Sequence, residues 1–178
     1  LKILADKSQE FVSHAPLSPK SAKAEEIKAL LLKSGCWPFI KQRPYDIIAN
    51  PSVTPKSIFI SAYVTSPMAA DLDYALKGKE NEIQAAITVL GKLTPGKVHV
   101  SVGKGGQSIF SKMEGAEIHN VSGPHPAGLV GTQINKIDPI NKGEVVWTIA
   151  PQDLVIIGEL LLTGRFNPER VVALVGSS

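Results

Sequence analysis

The residues best placed to do chemistry lie in one segment, Ser122–Thr132, which reads SGPHPAGLVGT. His125 stands between Pro124 and Pro126, and Gly123, Gly128, Gly131 and Thr132 complete the segment's distinctive positions. Proline fixes φ at about −65° and removes a backbone donor, whereas glycine lets the main chain approach a neighbour closely. The combination predicts a loop of defined shape that presents one imidazole. Such a ring can hydrogen-bond a carbonyl oxygen or exchange a proton near neutral pH. The alternative is a histidine that packs against the following turn and caps it.

Two further segments carry weaker signals. Gly103-Lys104-Gly105-Gly106 directly follows an expected strand, so its N–H groups and ammonium are a weak phosphate-loop candidate. It lacks the spacing of a Walker A loop and the third glycine of a dinucleotide fingerprint, and an ordinary tight turn explains it as well. Arg43-Pro44-Tyr45 joins a fixed cation to an aromatic ring, which suits a planar ligand or an arginine that tethers its own loop. His14, His99 and His119 are scattered, and His99 alternates with Val98 and Val100 as a satisfied sheet histidine does. No His/Cys/Asp/Glu group shows ligand spacing, so no metal is expected. No G-x-S-x-G elbow supports a hydrolase, and no residue is assigned as catalytic. Asp153 is explained by the dipole of the helix it opens.

The elements that must position these residues alternate. Strands are expected at Leu1–Ala5, Ser57–Val64, Lys97–Val102, Ala116–Val121, Val145–Ile149 and Arg170–Val175. Helices are expected at Ser21–Ser34, Gly78–Leu93, Ala127–Ile137 and Pro151–Leu162. Residues 36–56 hold four prolines and read as an ordered loop whose Trp37, Phe39, Ile40, Tyr45, Ile47 and Ile48 are buried. The pattern predicts one α/β domain over residues 1–178, with a mainly parallel sheet and flanking helices. Ligands of such sheets meet the loops at the carboxyl ends of the strands.

Composition narrows the function classes. Apolar residues make up 43% and charged residues 20% of the 178, ordinary values for a globular core. Aromatics at 6% and a net charge of +3, with Lys and Arg dispersed, argue against nucleic acid as a partner. The single cysteine, Cys36, excludes an internal disulfide and a cysteine-based iron–sulfur site. No apolar run reaches the roughly 18 residues that span a bilayer. The longest, Leu154–Leu162, is interrupted by Gly158 and Glu159. Both chain ends read as strands, which predicts a segment of a longer polypeptide.

Several landmarks together resemble the A subunit of the bacterial Na+-translocating NADH:quinone reductase. These are Arg43-Pro44-Tyr45, the Ser57–Ala62 strand, SGPHPAGLVGT, Asp138-Pro139, Val146–Ile149 leading to Gln152-Asp153, and Thr163-Gly164 ahead of Arg170–Leu174. Their order and spacing match that family over nearly the whole chain, as a middle fragment of less than half the subunit. The resemblance implies a respiratory complex that passes electrons from NADH to quinone and exports Na+, using flavins and an iron–sulfur cluster. It implies that this fragment binds no cofactor and is inactive alone. The implied partners are the other subunits and quinone, at the cytoplasmic face of the bacterial inner membrane, with the membrane reached only through those subunits. The implied fold is similar to the flavin-bearing, NADH-oxidising subunit of complex I. Gly123, Pro124, His125, Pro126, Gly128, Gly131, Thr132, Arg43 and Tyr45 become quinone-binding or subunit-contact candidates. A silent scaffold, or a flavin- or nucleotide-binding module at Gly103–Gly106, are the alternatives. Where the family reads Gly-Thr-His-x-His, this chain has Gln133 and Asn135, which hydrogen-bond but do not titrate.

Overall fold

The computed structural model describes residues 11–105, 108–172, 174 and 176. The expected first strand, Leu1–Ala5, lies outside them. Four strands are parallel: β3 (Ile58–Ser61), β4 (Val98–Gly103), β5 (Glu117–Val121) and β6 (Val146–Ile149). The sheet order is β2-β1-β6-β3-β4-β5, with β1 (Lys41–Arg43) and β2 (Ile47–Ile48) as an antiparallel edge on β6. The central strands β3 and β6 are largely apolar on both faces because both faces are covered there.

Three helices cover one face: α1 (Ala24–Ser34), α3 (Glu80–Leu90) and α5 (Pro151–Thr163). Their Ile27, Leu31, Ile83, Ile87, Leu154 and Ile157 join Ile58, Ile60, Val98, Val100, Trp147 and Ile149 in the main core. A single turn of helix, α2 (Leu72–Ala75), precedes α3 and is capped by Asp71, whose Oδ1 accepts from Asp73 N and Tyr74 N. Among the described residues the opposite face has one helix, α4 (Val130–Ile137), which packs Ile134 on Phe59 and Val146. These residues therefore cover that face over β3 and β6 and leave it open over β4 and β5.

Residues 36–56 are not a loop throughout. Trp37–Phe39 form a 3-10 turn with Pro38 at its start, and β1 and β2 then pair around Pro44. Proline breaks periodicity in sequence, yet here both prolines occupy turn positions where no ladder donor is needed. Trp37 and Ile40 are buried, whereas Tyr45, Ile47 and Ile48 are 80%, 51% and 50% exposed. An edge hairpin has only one neighbour to bury against, which corrects the expectation that all six are interior. Trp37 anchors the segment: its Nε1 donates to Ala49 O at 2.7 Å, and its ring meets Trp147 edge-on.

The expected last strand is not formed over the described residues Arg170–Val172. Instead, the Gln152 amide takes a strand neighbour's place, accepting from Val171 N and donating to Val171 O. Arg170 pairs with the buried Asp153 carboxylate, so Asp153 does more than favour its helix start.

A clamp at the amino end of the sheet fixes where α4 stops. Lys56 Nζ contacts Asp138 Oδ1 at 2.6 Å and donates to Glu144 Oε2 at 3.0 Å and Pro139 O at 2.9 Å. Ser57 Oγ donates to Asp138 Oδ2. Burial opposes ionisation of Asp138, but the bonds from Lys56 and Ser57 outweigh it and hold its pKa below the usual carboxylate range. A carboxyl depressed in the folded state adds stability above its unfolded pKa, about 3.9, and loses it as pH falls through the folded value. The melting-temperature gap between wild type and Asp138→Asn should therefore be full above about pH 5 and shrink on acidification. A gap that does not change with pH would refute the clamp's ionic character.

Candidate functional site

The Ser122–Thr132 loop leaves β5, crosses the carboxyl end of β3 and enters α4. The strand order reverses between β3 and β6, so the loop runs back towards the sheet's switch in winding, the usual ligand position in open α/β sheets. Two short turns shape it, with Ala127 N donating to Pro124 O and Leu129 N to Pro126 O. The His125-Pro126 peptide bond is cis, as is Arg43-Pro44.

Residues at and following the end of β3 hold the loop in place. Tyr63 OH donates to Gly123 O at 3.0 Å, and Ser61 Oγ donates to Gly128 O at 3.1 Å. Gly128 N donates to Thr65 Oγ1 at 3.0 Å. Gln133, buried in α4, donates from Nε2 to Ser61 Oγ at 2.9 Å and to Ala127 O at 3.1 Å. The glutamine thus ties the loop to β3, a fixed amide in place of a titrating ring. Its Oε1 is buried without a hydrogen-bond partner among the described residues. Sequence reading missed Tyr63, Thr65 and Ser61, because nothing local marks a strand end as a loop's dock.

Gly128 has a specific reason to be glycine. A Cβ there would lie 2.5 Å from Thr65 N and 2.8 Å from Tyr63 O. A Cβ on Gly131 would meet nothing within 4 Å, so that glycine is not required by packing. Thr132 sits in the first turn of α4 and donates its N–H to Leu129 O.

His125 is exposed at the crest of the loop, with Nδ1 3.3 Å from Thr65 Oγ1. Gly128 N donates to the same hydroxyl. With Nδ1 engaged by Thr65, Nε2 is the ring nitrogen left to meet a partner. Val64, Met68 and Leu129 are exposed on the same group of loops, at 42%, 73% and 46%. Beside them an open cleft of about 360 Å³ is lined by Tyr63, Val64, Met68, Asp71, Gly103 and Ser108. Asp73 joins its walls by accepting from Ser108 Oγ and Ile109 N.

The remaining candidates separate. Gly103 lines the cleft, while Lys104 and Gly105 form an exposed turn whose Lys104 N donates to Val121 O. Gly106 lies outside the described residues. Arg43 pairs in register with Val146 at the amino end of β6, and its Nε is 3.4 Å from Asp46 Oδ1. Arg43 and Tyr45 therefore sit at the end of the sheet opposite the Ser122–Thr132 loop, and the structure does not gather them into one site. No helix among the described residues is long and apolar enough to cross a membrane.

The structure also brings together a group that sequence spacing hides. His99, Glu117 and His119 place one ligand-type atom each within 4.8 Å of one another. The grouping depends on β4–β5 register, which pairs His99 with Glu117 across strands that sequence spacing keeps 18 residues apart.

Fold and site together define a parallel α/β domain with an antiparallel edge hairpin and loops assembled at the carboxyl ends of its central strands. A family model described as NqrA second alpha/beta domain matches residues 22–166. The chain belongs to that family. It is 39% identical to the A subunit of the Na(+)-translocating NADH-quinone reductase of Neisseria meningitidis serogroup B, over 94% of the chain and 38% of that protein. It is 38% identical to the same subunit of Cellvibrio japonicus over 99% of the chain and 39% of the relative. The Pseudomonas aeruginosa PAO1 counterpart is 36% identical over 96% of the chain and 38% of its own length. The chain thus spans about two fifths of the curated relatives it matches.

Proposed function

We propose that this domain works inside a Na+-translocating NADH:quinone reductase as part of its peripheral NqrA subunit, and that its carboxyl-edge loops face quinone at a boundary with another subunit. The complex oxidises NADH, reduces quinone and exports Na+ through its other subunits. The observation that carries the reading is the contrast within one loop. Its backbone is bonded to Ser61, Tyr63, Thr65 and Gln133, yet its histidine is held out in solvent by Thr65. A loop with only an internal role has no need to order an exposed donor. The cleft alone is open, whereas small-ligand sites bury about 70–90% of their ligand, so a partner subunit must close it. Exposed Val64, Met68 and Leu129 supply the apolar part of that contact.

His125 Nε2–H then donates to a quinone carbonyl oxygen. Losing one such bond costs about 0.5–1.5 kcal/mol, or roughly a two- to thirteenfold rise in KM for quinone. His125→Ala in the assembled complex should show that rise with the yield of complex unchanged. The same apolar edge favours a second reading, in which the loop only docks a neighbouring subunit. That reading predicts the reverse, a reduced yield of complex with an unchanged KM. A photoreactive quinone that labels the complex but never this polypeptide would sink the first reading.

A further inference from the structure

We propose that His99, Glu117 and His119 form a site for one divalent transition-metal ion of the zinc class on the open face of β4 and β5. The site is independent of the quinone-facing loops. It arises because α4 covers only β3 and β6, leaving an open groove of about 630 Å³ over the neighbouring strands.

The sheet geometry places the ligands. His99 on β4 and Glu117 on β5 are register partners, and His119 is two residues beyond Glu117 on the same face. His99 Nδ1 and His119 Nε2 face each other at 2.9 Å, and His119 Nε2 lies 3.9 Å from Glu117 Oε1. Two nitrogens and one carboxylate oxygen are a donor set that suits zinc and its neighbours rather than magnesium or calcium. Tetrahedral zinc with bonds of about 2.0–2.1 Å sets its nitrogens about 3.3 Å apart, so the two rings need to part by only about 0.4 Å.

The supports around the ligands fit that role. His99 is only 5% exposed, and its ring lies against Phe59 with centroids 4.6 Å apart, which fixes its plane. Lys97 Nζ holds Glu117 Oε2 at 2.6 Å and leaves Oε1 to the histidines. Lys56 is engaged by Asp138 and Glu144, which leaves Lys97 and Lys136 as the groove's cations nearest a bound ion. Three protein ligands leave the fourth position towards the groove, for water or an atom from a partner.

The test is a titration of the chain with Zn2+ alone by calorimetry, with Co2+ as a spectroscopic substitute. One ion per chain is expected, with Co2+ giving the strong visible bands of tetrahedral coordination. His119→Ala should weaken binding about a hundredfold and Glu117→Gln about tenfold. Both side chains are partly exposed, and the glutamine is isosteric, so at least one variant keeps the fold. His125→Ala should bind as wild type does. Absence of stoichiometric binding, binding unchanged in both site variants, or binding lost in His125→Ala would each overturn the proposal.

Discussion

Gly158→Ala is expected to destabilise the domain strongly. A Cβ at position 158 would lie 1.9 Å from Glu82 O, 2.4 Å from Glu82 C and 2.6 Å from Glu82 Cα. All three are backbone atoms, so no rotamer change relieves the contact, and α3 and α5 must separate. These two helices bury Ile83, Ala86, Ile87 and Leu90 from one side and Leu154, Ile157 and Leu161 from the other. Alanine gains about 1 kcal/mol of helix propensity over glycine, while overpacking of a close-packed core costs typically about 1–3 kcal/mol and more against rigid backbone. The clash wins. A net loss of about 2 kcal/mol, the top of that range less the propensity gain, lowers the melting temperature by roughly 4–8 °C in a domain of this size. Gly131→Ala, where a methyl meets open space, should leave it unchanged or slightly raised. Equal melting temperatures for the two variants, read by calorimetry, would falsify the packing argument.

Alternation of strand and helix was legible because β3, β4 and β6 are short, largely apolar runs and α3 and α5 are longer amphipathic ones. The hairpin was not legible, since Pro38 and Pro44 erase the period while sitting comfortably in turns. The last element failed for a different reason. Arg170–Val172 have strand composition, but the Gln152 side chain satisfies Val171's main chain and no ladder is needed. Side-chain mimicry of a strand leaves no trace in a hydrophobic pattern. In the site, proline and glycine marked the loop, and the family motifs marked the chain. What the loop rests on was hidden, because Ser61, Tyr63 and Thr65 are about sixty residues away in sequence. Register hid the His99–Glu117–His119 group in the same way.

Gly128→Ala tests whether the loop's seat, rather than its histidine alone, matters to the proposed quinone contact. The new methyl would stand 2.5 Å from Thr65 N, 2.7 Å from Thr65 Oγ1 and 2.8 Å from Tyr63 O. The loop is partly exposed, so it can lift instead of forcing the core apart. The expected global cost is therefore only about 1–2 kcal/mol, while the bonds from Gly128 N to Thr65 and from Ser61 to Gly128 O are lost. Amide exchange at Gly128 should accelerate far more than exchange in β3 beneath it. Thr65 then no longer orients the His125 ring, and quinone KM in the complex should rise at least as much as in His125→Ala. If seat and ring act as one unit, the double variant should be no worse than Gly128→Ala alone, because coupled residues are non-additive. Additive losses would mean that the loop backbone and His125 serve different contacts, one for quinone and one for the neighbouring subunit.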